Sequence, residues 1–294
     1  MVLIVFHHAI THGLGLDSYA PWSNNSLIIK DEEMNLYLLM NNLAVYAVNT
    51  FVIISGYFSI RSSWKKAWSL LLMVLFYTLI FTTLPSILKH DYANAVRSLF
   101  IISHSPYWFI IDYLILMLFA PLLNKAYDEL DEKTMKWFTV GIIVIAVYLG
   151  WLRGDNIDKS GYNFFHFIVM YGIGRAISKQ WIKASLRLAL VVFCLAIVIN
   201  AIWGIILFNT GHYDTIWKTF YYSNPLIILS ATMLILIVKE IHFNSGLVNY
   251  LAVSSLGIYL FQNTDYVSHK FYNSVANFYC LGGVNLCCSF YCAL

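Results

Sequence analysis

Residues 105–124 read SPYWFIIDYLILMLFAPLLN. A helix needs about 20 mostly apolar residues to cross a bilayer. This stretch has that length and carries one carboxylate, Asp112, and no other charge. Working outward, similar apolar segments lie near 1–13, 38–59, 67–88, 136–152, 162–178, 184–208, 222–238 and 247–264. With 106–124 they make about nine spans. The first is cut short, because only six apolar residues precede its histidines. The composition agrees. Of 294 residues, 60% are hydrophobic and 11% charged, and mean hydropathy is +0.69. A soluble domain carries about a quarter charged residues, so lipid is the expected solvent. The expected fold is all-α: one polytopic helical membrane bundle with a polar cavity among its spans.

Several function classes fall away. The net charge is only +3 and the basic residues are scattered, so no basic stripe points to nucleic acid. No apolar segment ends in a small-residue cleavage pattern, so none reads as a removable signal. Four of the five cysteines, Cys280, Cys287, Cys288 and Cys292, crowd the chain's end. Their spacing matches no zinc pattern, and a disulfide framework is not expected in a lipid-embedded chain. Lys and Arg divide unequally between alternate loops, eleven on the side of Arg61, Lys125 and Arg175 against seven on the side of Lys30, Lys89 and Arg153. The richer side is expected to face the cytoplasm.

Polar residues inside the oily runs are the candidates for chemistry. His8 and His12 are four apart and share a helix face, with His7 beside them. Imidazole near the membrane needs a partner or water. One reading is a general base in a polar cavity, which suits a group that titrates near neutrality. Another is an interfacial cluster wetted by headgroups. A third, half a zinc site, lacks the glutamate and third ligand of the known motif, so no metal is expected. In the second segment Asn49 interrupts Val, Phe and Ile. Ser55 and Gly56 permit close approach of a helix or ligand. Arg61 follows at the edge, where guanidinium matches phosphate. Lys65 and Lys66 read as positive-inside anchors. Tyr107 and Trp108 read as an interfacial belt, Asp112 as a carboxylate needing a partner or water, and Pro121 as a kink or end. Gly257, Tyr259 and Gln262 mark the ninth segment as packing glue or cavity wall.

Five stretches, LIVFHHAITHG (3–13), VNTFVIISGYF (48–58), YWFIIDYLILMLFAPLLN (107–124), FFHFIVMYGIGRAI (164–177) and SSLGIYLFQ (254–262), together resemble the acyltransferase 3 family of bacterial multi-pass membrane proteins. They occur in family order and cover nearly the whole chain up to about 264. The resemblance implies an O-acetyltransferase of the bacterial cytoplasmic membrane. It would move an acetyl or other short acyl group from acetyl-CoA to a hydroxyl of a surface polysaccharide or lipid-linked sugar. No bound cofactor is expected. The implied catalytic residues are His8, as general base, and His7. Direct transfer and an acyl-histidine relay both fit. Ser55, Gly56 and Arg61 would serve the anionic donor. Asn49, Tyr57, Trp108, Asp112, Tyr113, Tyr259 and Gln262 would line the substrate cavity, with Trp108 and Tyr113 on the acceptor side.

Two departures follow. Family members carry an arginine eleven residues before the histidine. At about 100° per residue that spacing returns to within about 20° of one face. Here it falls four residues before Met1, so Met1 is expected to be an internal methionine and the first span a truncated one. A chain that truly begins there would lack half the pair and be inactive. Gln262 stands where members often have histidine, and the family's tenth span is not seen. Residues 1–264 therefore read as the family domain and 265–294 as an atypical Cys-rich tail, frameshifted, truncated or divergent. The competing class is a transporter with midplane polar residues. The absence of an internal repeat weighs against it.

Overall fold

The computed structural model describes residues 1–282 except 22, 62–63, 102–106, 155–157 and 242–244. Cys287, Cys288 and Cys292 lie outside the described residues. Among the described residues the regular elements are all helical. Within lipid a helix satisfies its own backbone, which is why apolar chains take this form. In chain order the helices are α1 (Val2–Gly13), α2 (Asp31–Asn42), α3 (Ala47–Tyr57), α4 (Trp64–Leu88), α5 (Tyr92–Ser98), α6 (Trp108–Glu129), α7 (Glu132–Arg153), α8 (Phe164–Ser178), α9 (Leu186–Asn209), α10 (Pro225–Val238), α11 (Gly246–Gln262) and α12 (Asp265–Gly282). Six helical stretches are long and apolar enough to cross a membrane: Asp31–Tyr57, which joins α2 to α3, then α4, α6, α7, α9, and Tyr213–Val238, which ends in α10. α1 and α8 are shorter apolar helices, and α11 has 17 residues.

The sequence reading and the fold differ at four places. Asp31, Glu32 and Glu33, which lie between the apolar segments 1–13 and 38–59, form the first turn of α2, where carboxylates are favoured by the helix dipole. Pro121 does not close α6, which runs on to Glu129. Tyr107 and Trp108 do not form a lipid-facing belt: Tyr107 is buried and Trp108 packs among inner aromatic rings. α8 has only 15 residues, eleven of them buried. A helix covered all round by protein need not match the lipid thickness.

α8 is the centre of the bundle, and α3 lies directly on it. A Cβ on Gly56 would fall 2.2 Å from the Tyr171 carbonyl oxygen, and one on Gly174 would fall 2.2 Å from that of Ile53. The two helices meet backbone to backbone, as small residues in membrane helices allow. α9 and α10 complete this side. α12 packs along α1, with Val275 against Gly13 and Tyr272 against His12. The Tyr279 hydroxyl donates to Glu33 Oε2 at 2.6 Å and accepts from the Lys30 amide.

One end of the bundle is tied together by Arg175. Its guanidinium donates to the Ser59 hydroxyl and to Asp128 Oδ1, which also receives Lys179. Beside it, Tyr171 accepts from the Ile60 amide and donates to Asn124, whose amide donates back to the Ile60 carbonyl. This network joins the ends of α3, α6 and α8. His12 and the loop after it lie at the opposite end.

Candidate active site

The histidines of α1 line a cavity of about 300 Å³. His7, His8, Thr11 and His12 form one wall. Phe51, Trp108, Phe109, Tyr162, Trp217, Tyr222 and Tyr259 form the aromatic remainder. Ala9–Gly13 is a π-helical turn, a distortion frequent at functional sites. It closes the helix with the three rings still adjacent: centroids are 5.8 Å apart for His7 and His8, and 5.4 Å for His8 and His12.

Each histidine has its own partner. His7 is buried, and its Nδ1 meets Asn41 Oδ1 at 2.7 Å. His8 Nδ1 meets Gln262 Nε2 at 2.8 Å. His12 Nδ1 meets Asp17 Oδ2 at 2.8 Å, and the Asn25 amide donates to the same oxygen at 2.8 Å. Asp17 reaches this position because the chain reverses at Gly15, whose φ is +75°. A Cβ there would strike the Ser26 carbonyl. The short 3-10 turn Leu16–Tyr19 follows and buries Asp17. Tyr272 of α12 packs on the other face of His12, and burial pushes its phenol up to about 12, so it stays neutral.

These partners divide the chemistry. If Asp17 is ionised it can only accept, and His12 Nδ1 is then the donor of this bond. Its Nε2 then holds a lone pair, the arrangement of a general base oriented by a third group. The Gln262 amide nitrogen donates to His8 Nδ1, which puts the His8 proton on Nε2. His8 is thereby a hydrogen-bond donor beside a base.

A second cavity, of about 520 Å³, lies toward the Arg175 end. Ser55, Arg61, Lys66, Ser69 and Tyr113 line it, with Ile54, Phe58, Leu70, Met73 and Met117. The Tyr113 hydroxyl bonds Ser55 Oγ at 3.1 Å. The two cavities share Phe51, Phe109 and Leu256 as wall residues.

The expected site residues are thus distributed over both. His7, His8, Trp108 and Tyr259 line the histidine cavity, with Gln262 behind His8. Ser55, Arg61 and Tyr113 line the second, so Trp108 and Tyr113 stand in different cavities. Gly56 lies in the α3–α8 contact. Tyr57 packs against the core. Asn49 stands behind the histidine cavity, donating to the Tyr222 carbonyl and meeting His166 Nε2 at 3.0 Å. Asp112 faces Lys159 and the start of α8. Sequence reasoning had not reached Asp17, Asn25, Tyr162, Trp217 or Tyr222. A carboxylate five residues beyond His12 was the one available signal. Among the described residues no group of three or more His, Cys, Asp or Glu converges as a metal site would require.

Fold and site together define a polytopic helical membrane protein with a histidine-walled cavity inside the bundle. The chain belongs to the acyltransferase 3 family: the family model, described as an acyltransferase domain, matches residues 1–294. No curated protein and no solved structure matches it. The protein is a membrane acyltransferase.

Proposed function

We propose that this acyltransferase moves an acetyl group from acetyl-CoA to a hydroxyl of a surface polysaccharide or lipid-linked sugar. The observation that carries this reading is the placing of His8 and His12 in an aromatic-walled cavity that shares a wall with a cationic one. Sugars stack on aromatic faces, and Trp108, Tyr162, Trp217 and Tyr222 offer such faces beside the histidines. Arg61 and Lys66 suit the phosphates of the donor. Ser55 and Tyr113 lie on the way from those cations to the shared wall.

The reaction balances on the chain's own groups. The acceptor oxygen attacks the thioester carbonyl, a C–O bond forms, and its proton passes to His12 Nε2. His8 Nε2–H donates to the carbonyl oxygen as negative charge develops there. The C–S bond then breaks, and the proton on His12 passes to the departing sulfur to give the free thiol. The proton-abstracting role expected of His8 falls in this reading to His12, because Asp17 stabilises the imidazolium. His7, bonded to Asn41, supports the neighbouring turn. The bacterial cytoplasmic membrane is the setting this chemistry needs, with donor on one face and glycan on the other.

The test uses the full chain in vesicles of bacterial envelope lipid carrying lipid-linked glycans, supplied with radiolabelled acetyl-CoA. Label should enter the glycan as an alkali-labile ester. His12→Ala should lower the rate by about 10²–10⁴-fold, the usual worth of a general base, and His8→Ala by a similar factor. Absence of label with the wild-type chain overturns the reading, and glycan flux without label would make the protein a transporter.

A further inference from the structure

We propose that Phe51 and Phe109 form a partition between the two cavities that limits the transferred group to a short acyl chain. The inference rests on the proposed donor and acceptor sides. Both rings line both cavities, and among the described residues only Leu256 shares that position. A thioester bound among Arg61, Lys66 and Ser55 therefore presents its acyl group to His8 and His12 only past these side chains.

The two rings differ in freedom. Phe109, half-buried like Phe51, touches more rings, with centroids 5.0 Å from Phe167, 5.7 Å from Tyr259, 6.0 Å from Tyr113 and 6.0 Å from Trp108. Among the described residues Phe51 has two ring neighbours, Phe109 in an edge contact at 5.5 Å and Tyr113 at 5.9 Å. Phe51 is half-buried and rises from α3 one turn before Ser55, whose hydroxyl bonds the Phe51 carbonyl. Phe109 is the fixed side of the passage and Phe51 the side that yields. Turning one ring about its staggered torsions clears a narrow path. A longer chain would require Phe109 to move against four rings. The receiving cavity adds a second limit. Its volume of about 300 Å³ is the lower end for ligand sites, and a sugar must share it with the acyl group. The substrate class that fits is a two- to three-carbon acyl thioester.

The experiment is a competition in the same vesicles, with acetyl-, butyryl- and hexanoyl-CoA at equal concentration and the glycan esters resolved by mass spectrometry. The product ratio does not depend on how much of each variant is folded. Wild type should give acetyl ester almost alone. Phe51→Ala and Phe51→Leu should raise the hexanoyl-to-acetyl and butyryl-to-acetyl ratios by about tenfold or more, since each methylene in an apolar site discriminates by roughly 10–200-fold. Phe51→Trp should lower the butyryl share further while acetyl transfer continues. Ratios unchanged within about twofold across these variants, in a chain that transfers acetyl, overturn the partition and leave the acyltransferase reading standing. A wild-type chain that transfers from none of the thioesters overturns that parent reading, and the partition with it.

Discussion

His12 and Asp158 show opposite ways of holding a titratable group. His12 is part-exposed and faces a carboxylate. Asp158 is 0% exposed. The His166 Nδ1 lies 3.8 Å from its Oδ1. Gly150 backs it so closely that a Cβ there would fall 1.8 Å from Oδ2. Burial pushes the Asp158 carboxyl up from 3.8 to about 7, against the help of the Ser223 hydroxyl and the Gly161 amide. The folded state therefore holds a proton that the unfolded chain has released. That contribution to stability is complete below about pH 4 and is lost as pH rises through about 7. The detergent-solubilised chain should melt at a lower temperature at pH 8 than at pH 5.5. Asp158→Asn, which carries no titrating proton, should flatten that slope. An equal slope in both proteins would show that the carboxyl is ionised throughout.

At the scale of helices, the contact between α3 and α8 decides how the site is aligned. Gly56 and Gly174 bring two backbones together, and the same helices carry Asn49, Phe51 and Ser55 on one side and His166 on the other. A methyl group at Gly174 meets backbone, which cannot turn aside. Gly174→Ala should cost about 1–3 kcal/mol, the usual price of overpacking, seen as a lower melting temperature. Gly141 in α7 is the contrast, because a Cβ there meets nothing within 4 Å. Gly141→Ala should be neutral or stabilising by about 0.5–1 kcal/mol through helix propensity alone. Two equal shifts would contradict the tight contact. The helices were legible because lipid demands long apolar runs, and each such run lies on a helix. Where protein replaces lipid the rule loosens, as in α8. The site was legible where a polar group interrupts hydrocarbon, as His7, His8 and Gln262 do. It was not legible where 3-10 turns and a loop at the bundle end supply Asp17, Trp217 and Asn25. Phe51 and Phe109 gave no signal either, in a chain with 17% aromatic residues.

Taken whole, the molecule is polar along its length. Alternating helices bring the ends of α3, α6 and α8 into one network around Arg175, Asp128 and Asn124. That end carries the loops with eleven of the eighteen Lys and Arg residues and the cavity with Arg61 and Lys66. The other end carries His12, Asp17 and the cover provided by α12. The positive-inside rule and the proposed chemistry thus make the same demand. A charged thioester does not cross lipid, so the Arg61 cavity has to open to the cytoplasm. Lys133 at the start of α7 and Lys89 just after α4 are exposed at opposite ends. In a chain whose five native cysteines are replaced, Lys89→Cys should react with a membrane-impermeant maleimide on intact spheroplasts. Lys133→Cys should react only after the membrane is opened. The reverse pattern would put the cationic cavity outside, beyond the reach of a cytoplasmic donor, and the assignment of the two cavities would fail with it.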